Sequence, residues 1–220
     1  MNFPVSAIIA IGLSVILGAA CRTAATARKP PIVQPGAPGE PSRVVAAAAA
    51  ADLSHVGYTE ADVQFMQGMI SHHAQAVEMV AMIPSRTQRE DMRLLGHRID
   101  VSQADEIKMM QHWLQVRGRE APDAHAHHTH DAKLMPGMLT PEEMERLAAA
   151  TGDEFDRLFL EGMIKHHGGA LTMVQDLFNT RGAGQEVEIF SFASDVDADQ
   201  RMEIERMGAM LNTLLKERHR

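Results

Sequence analysis

Two adjacent histidines occur twice in this chain, each time inside the same longer pattern. The first copy, Asp62 to Val80, reads DVQFMQGMISHHAQAVEMV, and the second, Asp156 to Val174, reads DRLFLEGMIKHHGGALTMV. Ten of the nineteen positions are identical, which indicates an internal duplication. Imidazole is a ready ligand for copper, and thioether sulfur prefers Cu(I). Histidines and methionines repeated at matching positions therefore predict a metal site.

The candidate ligands are the two histidine pairs, the methionines that match between the copies, and the aspartate that opens each copy. They are His72, His73, His166, His167, Met69, Met163, Met79, Met173, Asp62 and Asp156. Met69 precedes His72 by three residues and His73 by four, a spacing at which helical side chains can share an ion. Other interpretations stay open: methionines as ordinary core residues, histidines as a hydrogen-bonded or proton-linked cluster, and aspartates as helix N-terminal charges.

A second group of histidines lies between the two copies, followed by two methionines. It comprises His125, His127, His128 and His130. A His-rich tract in a polar linker is typical of a labile metal-binding segment, and it would suit Cu(II), Zn or Ni. The alternative is a linker in which these histidines have no role.

Composition restricts the chemistry further. The chain of 220 residues has 16 Met and 12 His but a single Cys, so neither an internal disulfide nor a thiolate cluster can form. The net charge of −8 argues against nucleic acid as a partner. No Ser-His-Asp order, phosphate-binding glycine loop or His-Glu-x-x-His motif occurs, so the sequence favours a non-enzymatic protein.

The pattern around each histidine pair predicts a helix. Thr59 is a suitable N-cap with acidic residues in the following turn, and Pro84 predicts the helix end near Ile83. One apolar stripe runs along this helix, and His72 and His73 flank its centre, so both imidazoles face the core or its margin.

A second helix is predicted from about 87 to 116, and the second copy predicts helices over 153–178 and 186–216. Six positions of 100–114 match 197–211, so the whole helical hairpin is duplicated, as repeats 59–116 and 153–217. The crossover 117–152 contains one short helix, starting at Thr140. Two hairpins joined by a long crossover predict an all-α, ferritin-like four-helix bundle. Two-fold symmetry would make the first and third helices antiparallel, with the histidine pairs meeting near mid-bundle.

A di-iron centre of the ferritin type needs Glu-x-x-His on two helices. The matching positions begin with Glu106 and Glu203, but Met109 and Arg206 stand where the histidines would be required. Iron is therefore disfavoured relative to copper. Gly168 and Gly169 predict close packing against the helix rather than a phosphate site.

The N-terminal region predicts export. Residues 2–20 carry no charge, and small residues precede Cys21, as in a bacterial lipoprotein signal with Cys21 as the lipidated residue. An ordinary signal peptide cut after Ala25 or Ala27 is the alternative. Residues 22–51 are rich in Ala and Pro and predict an extended tether, whose Ala run 46–51 could extend the first helix backward. The bundle then covers 52–217.

The motif Asp-x2-Phe-x3-Met-Ile-x-His-His-x2-Ala, present twice, resembles the signature of the bacterial His-His domain-of-unknown-function family 305 (DUF305). The resemblance covers residues 52–217. It implies a secreted or lipid-anchored ferritin-like bundle, and some members rich in Met and His are associated with copper binding and copper tolerance. The signature positions are Asp62, Phe65, Met69, His72, His73, Asp156, Phe159, Met163, His166 and His167.

The sequence as a whole predicts a periplasmic or cell-surface protein that binds copper, with another divalent metal less favoured, and acts as a buffer, chaperone or tolerance factor. Its partners would be the metal ion, a membrane through the lipid anchor alone, and a copper-handling protein or a second copy of the chain. The alternatives are a structural or interaction module with buried histidine pairs, and a metal-dependent redox enzyme.

Overall fold

The computed structural model describes residues 30–34, 41–51, 56–123 and 134–218. The chain divides into two compact units, residues 1–53 and 54–220. The predicted signal segment with Cys21, and the histidines at 125–130, lie outside the described residues.

The first unit contains a short ribbon. Strand β1 (Ile32–Gln34) pairs antiparallel with β2 (Arg43–Val45), in a register that places Val33 opposite Val44. β-branched residues favour this extended backbone. The Ala run then forms a separate helical turn, α1 (Ala47–Ala50), and residues 56–59 are not helical, so the run does not extend the first bundle helix. The sequence predicted neither the ribbon nor the separate turn.

The second unit is helical in its described part. Its helices are α2 (Glu60–Ala81), α3 (Ile83–Arg86), α4 (Glu90–Val116), α5 (Pro141–Ala149), α6 (Gly152–Asn179) and α7 (Val187–Arg218). Helix α2 packs against α4, α6 packs against α7, and the two hairpins meet mainly through α2 and α6. This is the predicted four-helix bundle of two duplicated hairpins. Within the described ranges, no helix is both long and apolar enough to span a membrane.

Local capping explains where the helices begin. Thr59 and Asp62 form a capping box at α2, in which each side chain accepts from the other's backbone N–H, and Thr140 and Glu143 do the same at α5. The end of α2 differs from the prediction, because it falls at Ala81 and Pro84 lies in the first turn of the separate helix α3. A proline fits there since the first-turn N–H groups have no intrahelical acceptor.

The repeated aspartates connect the hairpins. Asp62 accepts a hydrogen bond from the Gly184 N–H at 2.7 Å, and Asp156 accepts one from the Thr87 hydroxyl at 3.2 Å. Thr87 and Gly184 are equivalent positions of the two hairpin loops. Helix α2 is therefore bonded to the loop between α6 and α7, and α6 is bonded to the loop between α2 and α4. Thr87 has an extended backbone, and α4 therefore begins at Glu90, three residues later than predicted.

Contacts between α2 and α6 show that the two helices are antiparallel. His72 meets His166, while Gly68 lies beside Met173 and Gly162 lies beside Met79. Residues further along α2 therefore contact residues that come earlier in α6. The halves are thus related by an approximate two-fold axis across the bundle, and the antiparallel arrangement that such symmetry implies is present.

The hydrophobic core is split into two clusters. One contains Met69, Met110 and Phe192, and the other contains Met79, Met163 and Met207. On each of the four long helices, buried polar side chains separate the residues of one cluster from those of the other. These side chains form a polar layer at the centre of the bundle. Its members are His72, His73, Gln75, Gln103, His166, His167 and Gln200, each at most 3% exposed.

Candidate metal centre

The two histidine pairs lie where the helix periodicity placed them. All four are at most 1% exposed, although each pair consists of neighbouring residues that leave the helix in different directions. Burying four imidazoles costs desolvation free energy, so each ring requires a partner.

His72 and His166 meet across the two-fold axis. Their ring centroids are 3.8 Å apart with an interplanar angle of 38°. Within each pair the rings are more distant, at 6.3 Å for His72 and His73. The two inner imidazoles therefore form a stacked pair, and an ion held between them would require one or both rings to turn.

The inner rings donate to backbone oxygen atoms. His72 Nε2 lies 3.0 Å from the Pro136 carbonyl oxygen, and His166 Nε2 lies 2.9 Å from the His72 carbonyl oxygen. A carbonyl can only accept, so both Nε2 atoms carry the proton. Burial lowers the pKa of His72 to about 3, with the charge of His73 adding to the effect and the Pro136 bond opposing it. Burial and the charges of the other histidines likewise hold the pKa of His166 well below its usual value.

The outer rings donate to glutamates on the next helix. His73 Nε2 lies 2.5 Å from Glu106, and His167 Nε2 lies 2.6 Å from Glu203. These are equivalent pairs in the two repeats. Burial raises the pKa of Glu203, but the hydrogen bond and charge of His167 and the nearby Arg98 outweigh it, so the net pKa is lowered. Glu203 is thus held as a carboxylate.

All four rings leave the same atom unused. The Nδ1 atoms of the two pairs are buried and have no hydrogen-bond partner in the described structure. Because Nε2 carries the proton in the neutral ring, Nδ1 presents a lone pair. A metal-binding histidine commonly donates its other N–H to a carbonyl or carboxylate, which fixes the tautomer. The four imidazoles have this arrangement, so the donor set fits a metal that binds through Nδ1.

A strap of the crossover, residues 134–140, covers one side of this centre. Gln75 makes two hydrogen bonds with the backbone of Leu139, at 2.8 and 3.0 Å. At Gly169 an added Cβ would lie 1.9 Å from the Pro136 oxygen, so the strap lies directly on the α6 backbone. The close packing predicted at Gly168 and Gly169 is therefore present at the second glycine, and its partner is the strap.

The repeated methionines divide between the two apolar clusters and the strap. Met69 and Met163 are buried in opposite clusters, and the Met79 methyl group lies near Gly162 under the strap. Met173 is half-buried and lies with the Met135 sulfur near Gly68. The strap side of the bundle is accordingly rich in thioether.

The structure does not bring Asp62 and Asp156 together with the histidines. Ten residues of helix, about 15 Å, separate each aspartate from the first histidine of its copy, and their carboxylates serve the hairpin contacts described above. Among the described residues, no three His, Cys, Asp or Glu side chains are grouped to hold one ion as they stand. A metal would require a small rearrangement of the rings or ligands of other types.

The sequence did not predict the strap contact at His72 or the role of Glu106 and Glu203. The sequence presents Glu106 and Glu203 as the positions that di-iron ligands would occupy, and as equivalent residues of the two repeats. Since they occupy matching positions one helix away from the matching histidines, that equivalence was the available signal.

The fold and the buried His–Glu centre define a four-helix-bundle protein with a duplicated imidazole site. The family described as "Domain of unknown function (DUF305)" matches residues 62–211, and the chain belongs to this family. The match covers most of the bundle, including both histidine pairs. No curated protein matches the chain.

Solved structures resemble the chain over the same region. A DUF305 protein from Streptomyces coelicolor, inferred to be secreted, is 30% identical with a TM-score of 0.60, covering 70% of this chain and 93% of that one. CopM in its Cu(I)-bound form is 28% identical with a TM-score of 0.54, covering 71% and 98%. Its Cu(II)-bound form is 28% identical with a TM-score of 0.55, covering 69% and 96%. CopM has also been solved bound to silver.

Proposed function

We propose that this protein binds copper outside the cytoplasm through its buried histidines and acts as a buffer or chaperone without catalysing a reaction. The observation that carries the proposal is the set of four buried Nδ1 atoms without partners, each on a ring whose Nε2 is held by an oxygen. The similarity to CopM, which has been solved with Cu(I) and Cu(II), supports copper as the cargo.

The methionines support the same cargo. Thioether sulfur and imidazole together suit Cu(I), and imidazole with carboxylate suits Cu(II). The strap side supplies Met79, Met135 and Met173, whereas the α4/α7 side supplies Glu106 and Glu203. In a purely structural or interaction module, the four buried Nδ1 lone pairs would have no partner. Metal binding would give them one, which favours the metal-binding interpretation.

Replacement of the inner histidines by glutamine tests the proposal. In His72→Gln/His166→Gln, each amide can still donate to the carbonyl that now accepts from Nε2, but the Nδ1 lone pair is lost. We expect the purified protein to retain copper after desalting, and the double variant to bind Cu(II), or Ag(I) in place of Cu(I), at least tenfold more weakly. Elemental analysis and competition titration measure this.

The matched control is His97→Gln/His112→Gln, which removes two imidazoles that are exposed. It should bind metal as the unmodified protein does. Absence of bound metal in the unmodified protein would refute the copper proposal and leave the structural module. Turnover that depends on the metal would instead favour the redox enzyme.

The proposal includes a lipid anchor at Cys21, with residues 22–51 as the tether. It is supported by the small residues before Cys21 and by the relative from Streptomyces coelicolor that is inferred to be secreted. We expect the expressed full-length chain to fractionate with membranes and Cys21→Ser to be released to the soluble extracytoplasmic fraction. If Cys21→Ser stays with the membranes, the anchor is not this cysteine.

A further inference from the structure

Two glutamines in the polar layer have no assigned role. Gln103 on α4 is 2% exposed and Gln200 on α7 is 3% exposed, and they occupy equivalent positions of the two repeats. The Oε1 atom of each is buried without a hydrogen-bond partner in the described structure. A buried amide oxygen without a donor is destabilising, so the same cost in both copies indicates a missing partner.

The register of α4 and α7 places the two glutamines opposite each other. Arg98 pairs with Glu203 at 3.4 Å. Arg89, at the start of α4, pairs with Glu217, at the end of α7, at 2.8 Å. In this antiparallel register, positions 103 and 200 lie at about the same level of the bundle. Each glutamine is also three residues, close to one helical turn, from the glutamate that holds an outer histidine.

Negative charge gathers around this level. Glu106 and Glu203 are only 20% and 13% exposed, and Asp199 stands one residue before Gln200. The opposing positive charge is Arg98, which pairs with Glu203; its side chain is 40% exposed, although its Nη2 atom is buried.

The atoms without partners in the polar layer itself are all acceptors once the rings are neutral, while Arg98 beside it leaves one buried donor, Nη2, without a partner in the described part of the chain. The acceptors are the four Nδ1 atoms and the two glutamine Oε1 atoms. The two N–H groups of one guanidinium nitrogen cannot satisfy all six of these acceptors, and acceptors cannot pair with one another, so further donors or a cation must satisfy them. The two carboxylates of Glu106 and Glu203, each bonded to an outer histidine, favour the cation.

We propose that Gln103 and Gln200 are ligands of a divalent cation on the α4/α7 side of the polar layer, binding through their amide oxygens. The nearby carboxylates of Glu106 and Glu203 supply the compensating charge and orient His73 and His167 toward the same site. This deepens the proposed function and rests on it. It divides the bundle into an oxygen- and nitrogen-lined side for ions such as Cu(II) or Zn²⁺ and a thioether-rich strap side for Cu(I) or Ag(I).

The test replaces both amides by an apolar side chain of similar size. In Gln103→Leu/Gln200→Leu, we expect the affinity for Zn²⁺, a redox-inert probe, to fall at least tenfold while that for Ag(I) stays within threefold. The control is Gln115→Leu, an exposed glutamine of α4, which should change neither affinity. A second variant, Gln103→Glu, keeps an oxygen ligand and adds charge, so it should bind Zn²⁺ more tightly.

The thermal midpoint without metal separates binding from folding. The double leucine variant should be at least as stable as the unmodified protein, because it removes two unpaired buried oxygens. Unchanged Zn²⁺ affinity in that variant would overturn the inference and leave buried water as the partner of the amides. Binding of Ag(I) but not Zn²⁺ by the unmodified protein would also overturn it while the proposed function stands. Binding of no ion at all, copper included, would refute both.

Discussion

Gly169→Ala should destabilise the protein by about 1–3 kcal/mol, the range of substitutions that overpack a core. An ideal Cβ at this position would lie 1.9 Å from the Pro136 oxygen and 2.6 Å from the Gly137 Cα. Both neighbours are backbone atoms, so no rotamer change relieves the contact. Gly137 cannot easily adapt, because its φ is +76° and a shift of the strap would disturb the Gln75 bonds to Leu139.

The preceding residue is a matched control. An added Cβ at Gly168 meets nothing within 4 Å, and Gly168 lies inside α6. Gly168→Ala should therefore stabilise the helix by up to about 1 kcal/mol. Urea unfolding of the two variants measures the difference. Equal stabilities would show that the strap does not lie on the α6 backbone.

The metal-free protein should lose about 2 kcal/mol of stability between pH 7.5 and pH 5 through His72, with a further loss through His166. Burial holds the pKa of His72 at about 3 and that of His166 well below its usual value, while both titrate near 6.5 in the unfolded chain. The folded pKa values are depressed, so the unfolded state takes up protons first as the pH falls. The contribution of His72 is present above pH 6.5 and is lost progressively toward pH 3, by about 2 kcal/mol at pH 5, and that of His166 is lost in the same direction.

Guanidinium unfolding at pH 7.5 and pH 5.0 measures this dependence in the presence of a chelator. His72→Gln/His166→Gln removes both titrating rings and should lose most of the difference. His97→Gln/His112→Gln removes two exposed rings and should keep it. A pH dependence shared equally by all three proteins would mean that the inner rings are not buried in neutral form.

The helices and their pairing followed from the sequence because they depend on local patterns. Periodicity placed His72 and His73 beside the apolar stripe, and the shared motif of the second copy implied a two-fold arrangement. The capping residues Thr59 and Thr140 fixed two helix starts, since a cap uses residues three positions apart. Each of these signals is contained in a short stretch of chain.

The surroundings of the histidines depend on contacts that a single sequence does not encode locally. The bond from His72 to Pro136 joins residues 64 positions apart, and it follows from how the crossover lies on the bundle. Asp62 was grouped with the histidines because it shares their stripe, but its contact with Gly184 spans 122 positions. Such pairings are decided by tertiary packing, and only the repeat equivalence of Glu106 and Glu203 hinted at one of them.

The strap also breaks the symmetry that the duplication created. His166 donates to its counterpart's backbone, whereas His72 donates to Pro136, which has no equivalent in the other half. A dimer of one hairpin would have to treat the two inner rings identically. In a single chain that contains both hairpins, the two inner rings can have different surroundings. Substitutions in the connecting segment can therefore change the environment of one imidazole and leave that of the other unchanged.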